Sequence, residues 1–100
     1  MIYHTVSPCK KKKGFEGIPE DFHNVSLVEL KSELLSNLKS YKLLRETRVM
    51  LVLQDKEKGN KLSIFPSCRA FIHGDLKEEE AIVILENVSK SIEKIRSSSR

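Results

Sequence analysis

One hundred residues, 39% hydrophobic and 32% charged, make one globular domain with room for a single core. No apolar run approaches the ~18 residues of a membrane-spanning helix, and Met1-Ile2-Tyr3-His4 lacks the charged and then apolar segments of a secretory signal. The net charge of +4 sits in Lys10, Lys11, Lys12 and Lys13, because the chain after residue 14 holds 14 basic and 14 acidic residues; the excess reads as one solvated loop.

Residues 1–24 read as an N-terminal strand and a basic loop, 25–97 as the compact core, and 98–100 as a frayed tail. Ile2 to Val6 alternates weakly and is a candidate short strand, ended by Ser7-Pro8-Cys9, the lysines and Gly14. Phe15 to Asn24 is loop-like in composition and includes His23, a surface histidine by default. Ser26 and Glu29 form a capping box opening a helix whose stripe is Leu27, Leu30, Leu34, Leu38 and Tyr41, ending near Leu44. Arg48 to Gln54 is a strand with Val49, Leu51 and Leu53 inward and Met50 and Val52 on the other side. Asp55 to Asn60 turns it into a hairpin, Lys61–Phe65 and Arg69–His73, joined by Pro66-Ser67-Cys68. Asp75 and Glu78 form a second capping box, and Ala81, Leu85, Val88, Ile92 and Ile95 make one apolar helical stripe.

The order strand, helix, three strands, helix predicts an α+β fold: an antiparallel sheet of three to four strands with both helices packed on one face. Leu62, Ile64, Ala70 and Ile72 face the helices. Met50, Val52, Lys61, Phe65, Arg69, Phe71 and His73 are left on the opposite face, and an uncovered patch of that kind marks a contact surface.

The segment LSIFPSCRAFIHGDLKEEEAIVILENVSKSI resembles the second half of one repeat of the TATA-box-binding protein family. The match is a strand ending in Ile-Phe, a Ser-containing turn, a β-branched strand and a helix opening with acidic residues, over roughly residues 24–97. The resemblance implies a half repeat of that fold, a homodimer to complete its saddle, and an open sheet face lying on nucleic acid. Phe65 then stands where a wedging phenylalanine stands and Arg69 where a turn lysine stands, while Cys68 replaces the turn glycine. The hairpin–helix unit also resembles small accessory domains of adenylyltransferases and of archaeal iron–sulfur proteins.

Gly14, Gly17, Gly59 and Gly74 are isolated turn glycines, so no phosphate-cradling loop is present, and no nucleophile elbow or paired-histidine helix occurs. The thiols are Cys9, beside four lysines, cations of the kind that make a thiol more reactive, and Cys68, expected at an exposed hairpin tip, with His4 or His73 as supports. Cys-x-x-Cys spacing is absent, so Cys9 and Cys68 are weak metal candidates and no cofactor is expected. The expectation is a cytoplasmic, non-enzymatic module without membrane contact, whose open face binds itself or a protein partner. The alternative is nucleic-acid binding by that face, with Lys10, Lys11, Lys12 and Lys13 on phosphates. A second alternative is a thiol or metal role through Cys9 and Cys68.

Overall fold

The computed structural model describes residues 1–8, 13–21 and 24–98, apart from the side chains of Thr5 and Ser98. Among the described residues six strands and two helices follow one another as β1 (Tyr3–Pro8), β2 (Gly14–Pro19), α1 (Leu27–Asn37), β3 (Tyr41–Glu46), β4 (Leu51–Asp55), β5 (Lys61–Ile64), β6 (Ala70–His73) and α2 (Glu78–Ser98). The strands form one open antiparallel sheet in the order β1-β2-β6-β5-β4-β3. The fold is therefore α+β, as expected, with a wider sheet than the three to four strands anticipated.

Two segments account for the extra width. Residues 14–19 lack aliphatic alternation, yet they pair along β6 from Gly14 opposite His73 to Gly17 opposite Ala70. Gly14 thus starts a strand instead of ending one. Glycine is required there: a Cβ at Gly14 would lie 2.0 Å from the Ile72 carbonyl oxygen, and its φ is +149°. The second segment continues the apolar spacing of the first helix in sequence. Ser26 does cap α1, accepting the Glu29 N–H at 3.5 Å, and Leu27, Leu30 and Leu34 are buried. The helix stops at Asn37, however, and Tyr41 to Glu46 forms β3 beside β4. Tyr41 keeps its buried place from a strand instead of a helix, which is why the stripe pattern misled.

The next strand begins at Leu51, three residues later than anticipated, and Val49 is exposed in the preceding turn. Thr47 shapes that turn: its hydroxyl accepts the Val49 and Met50 N–H groups. At α2 the Ala81 N–H bonds the Lys77 carbonyl, and the Glu80 carboxylate accepts the Lys77 N–H at 3.0 Å. The back-reaching half of a capping box therefore belongs to Glu80 on Lys77, two residues beyond the Asp75–Glu78 pair, and the lysine side chain has no oxygen to return it.

One core lies between the helices and one face of the sheet. Leu30 and Leu34 of α1, and Ala81, Leu85, Val88, Ile92 and Ile95 of α2, meet Leu51, Leu53, Leu62, Ile64, Ala70 and Ile72. Tyr3 belongs to the same core, and Val6 and Phe15 pack against it, so the N-terminal hairpin is part of the packed body. Each edge strand carries a register irregularity, at Tyr3/Thr5 in β1 and at Leu43/Arg45 in β3. Bulges of that kind and the charged residues of β3 discourage growth of the sheet by edge pairing. No described helix is long and apolar enough to cross a membrane.

Candidate functional site

Both helices lie on one side, so the side chains that alternate away from the core form the other face. Register carries one row across it: Arg45, Val52, Ser63, Phe71, Glu16 and Ser7 on β3, β4, β5, β6, β2 and β1. A second row holds Lys42, Gln54, Lys61 and His73, ending at Gly14. Phe65 and Arg69 stand at the tip of the β5–β6 hairpin, beyond the first row.

Around Phe71 the side chains are locked together. Phe65 meets it edge-on with ring centroids 5.9 Å apart, and His73 stacks on it at 6.1 Å with planes 16° apart. The Arg69 guanidinium carbon lies 5.3 Å from the Phe71 centroid, and the same guanidinium is ion-paired with Glu16. Phe65, Phe71 and His73 are half-buried, whereas Lys42, Arg45, Lys61 and Arg69 are exposed.

The seven contact residues anticipated are thus divided. Lys61, Phe65, Arg69, Phe71 and His73 are brought together. Val52 lies on that face but is only 9% exposed, and Met50 is half-buried in the loop before β4. Sequence reasoning missed Lys42, Arg45 and Glu16: the expected helix takes in Lys42, Arg45 falls between that helix and the strand expected from Arg48, and Glu16 falls in an expected loop. Lys39-Ser40 was the available sign, a polar break in front of a six-residue run that ends at Glu46.

Charge is sorted across the sheet. Among the described residues the open face holds four cations, Lys42, Arg45, Lys61 and Arg69, and one carboxylate, Glu16. Apart from that face and the Lys10–Lys13 run, the chain carries ten basic and thirteen acidic residues. The balance seen along the sequence conceals a cationic face backed by an acidic helical layer.

Cys68 is not at an exposed tip. The turn closes with the Cys68 N–H on the Phe65 carbonyl at 2.8 Å, and the Phe65 N–H bonds the Arg69 carbonyl at 3.1 Å. That three-residue loop places its last member in the left-handed region, and Cys68 has φ +74°. The side chain turns into the core and is fully buried, and burial pushes the thiol pKa up to about 11, against a weaker lowering by Arg96. A protonated, inaccessible thiol is neither a nucleophile nor a ready metal ligand. Cys9, Lys10, Lys11, Lys12 and His23 lie outside the described residues; Lys13 is exposed just before β2, and His4 is exposed on β1. Among the described residues no group of three or more His, Cys, Asp and Glu side chains converges as a metal site.

Two surface recesses lie away from this face. One, of about 560 Å³, is lined by Asn24 to Val28, Glu46 to Arg48 and Pro66; another, of about 320 Å³, lies between the β4–β5 turn and α2. In the second, Asn60 donates to the Tyr41 hydroxyl at 2.7 Å, and Lys58 pairs with Glu80 at 2.8 Å. Both arrangements are accounted for by turn and helix packing. No protein family, curated protein or solved structure matches the chain.

Proposed function

We propose that this chain works by binding rather than by catalysis, and that its open sheet face takes an anionic partner. The observation that carries this reading is the gathering of Lys42, Arg45, Lys61 and Arg69 on one face whose single carboxylate, Glu16, already pairs with Arg69. Cations around half-exposed rings are complementary to a negatively charged surface and steer its approach. The same arrangement argues against the face closing on a second copy of itself, since a two-fold contact would oppose like charges.

The resemblance to half of a TATA-box-binding repeat gains support from β3, a strand following the first helix as in that family. It carries Leu43 and Leu44 and no wedging phenylalanine, and a complete saddle would need a second unit.

Titration with long-chain inorganic polyphosphate tests the reading. The double change Lys42→Glu and Lys61→Glu should weaken binding by about tenfold or more, since opposing like charges cost several kcal/mol. The change Lys56→Glu with Lys90→Glu, away from the face, should weaken it much less. Equal losses from both pairs, or no binding by the unaltered chain, would remove the proposal.

A further inference from the structure

We infer that the anionic partner is a single-stranded nucleic acid whose bases stack on Arg69 and Phe65, an inference that rests on the open face being the binding surface. Arg69 still has an exposed surface to offer. Its Nε and one terminal nitrogen are engaged by Glu16 and its guanidinium carbon lies over the Phe71 ring, yet its side chain is still 51% exposed. A guanidinium held in that way keeps a fixed plane, with part of its donor set already taken by a carboxylate. Planes suit bases, whereas a carboxylate or an isolated phosphate seeks the donor edge.

Phe65 stands beside it, half-buried and edge-on to Phe71, so its ring is held without being covered. A flat guanidinium next to a fixed phenyl ring makes a platform for successive bases, which every base can use because every base has a π-face. Lys61 and Lys42 lie in one row on β5 and β3, two strand spacings or about 10 Å apart, where they can follow a backbone leaving the platform. In a duplex the base faces are stacked on one another and are not offered to such a platform.

The experiment is fluorescence anisotropy with the full chain at about 50 mM salt. The probes are labelled deoxythymidine and riboadenosine oligomers of about 15 nucleotides, a duplex of the same length, inorganic polyphosphate and polyglutamate as competitors. Single strands should bind about tenfold or more tighter than polyphosphate of equal charge. The logarithmic salt slope should be about −2 to −3, as three to four phosphate contacts require. Arg69→Lys keeps the charge and removes the plane; it should lower single-strand affinity about fivefold or more and leave polyphosphate binding unchanged. Phe65→Ala should act in the same direction, and Arg69→Lys carries the test alone if that variant fails to fold.

Polyphosphate, duplex or polyglutamate bound as tightly as single strands, or an Arg69→Lys chain that binds single strands normally, would overturn the inference and leave the anionic-partner reading intact. No binding to any probe would overturn both.

Discussion

The Tyr3 hydroxyl donates a hydrogen bond of 2.6 Å to the Cys68 carbonyl oxygen, 65 residues further along the chain. It ties the outermost strand at the N-terminal edge to the one non-glycine residue of positive φ among those described. Both groups are buried, so each serves as the other's replacement for water. Tyr3→Phe leaves the carbonyl unsatisfied and should lower stability by about 1–3 kcal/mol. Urea unfolding should show this as a lower midpoint with an unchanged slope. A loss under about 0.5 kcal/mol would mean that water reaches the carbonyl.

Alkaline pH should unfold the protein through the same residues. Burial, and secondarily Cys68, hold the Tyr3 phenol well above its ordinary value of 10.0. Tyr41 is raised mainly by burial, despite the hydrogen bond from Asn60, and the Cys68 thiol by burial from 9.0 to about 11. In each case the unfolded chain releases its proton at a lower pH than the folded one. The associated stability is thus present below the unfolded pKa and lost as pH rises past it. Stability should hold up to about pH 9 and then fall, by up to ~1.4 kcal/mol per pH unit for each group titrating. The slope above about pH 10 should be shallower in Tyr3→Phe than in the unaltered chain. Identical slopes would exclude Tyr3 as a contributor.

The usual order of alanine and glycine should invert at position 68. Cys68→Ala loses the buried sulfur and keeps a Cβ in the left-handed conformation; Cys68→Gly loses the sulfur and relieves about 1 kcal/mol of strain. Cys68→Gly should therefore be at least as stable as Cys68→Ala in thermal unfolding. A glycine variant clearly less stable than alanine would show that the turn carries no such strain. In a Cys9→Ser background, Ellman's reagent should react with Cys68 only as the protein unfolds.

Gly14→Ala tests whether the N-terminal hairpin is integral to the sheet. The added methyl would collide with the Ile72 carbonyl, a backbone atom that cannot swing aside, so β2 must leave β6 locally. A loss of about 2–4 kcal/mol is expected, together with faster amide exchange in β1 and β2. Unchanged exchange there would mean that the two strands tolerate the displacement.

Light scattering should report a monomer at micromolar concentration, and Phe71→Asp should leave that mass unchanged. Cations opposed across a two-fold face disfavour association, while the exchanged ring stands on the open side, away from the core. A dimer that Phe71→Asp dissociates would return the face to self-association.

The parts legible in the sequence are those in which one element's own periodicity decides the outcome. The α2 stripe from Ala81 to Ile95, the Ser26 cap, the inward set Leu62, Ile64, Ala70 and Ile72, and the outward set Lys61, Phe71 and His73 follow from spacings of 3.6 and 2. Where a segment forms a strand only because a neighbour receives its hydrogen bonds, periodicity was silent. Gly14 to Pro19 has little β propensity of its own and is held by β6 on one side and β1 on the other. Leu38, Tyr41 and Leu44 continue a helical spacing beyond Asn37, yet Tyr41 to Glu46 pairs with β4 because a sheet edge was available there.

The open face shows the same division. Its aromatic members could be read from alternation along two strands, but its charge could not. Lys42 and Arg45 reach it from β3 and Glu16 from β2, positions that exist only once six strands are laid side by side. The sequence by itself determined that one side of the sheet would be apolar and covered, because buried side chains must repeat with the period of their own element. Only the tertiary structure decided that the opposite side would be cationic, because charge on a sheet is summed across neighbouring strands and not along the chain.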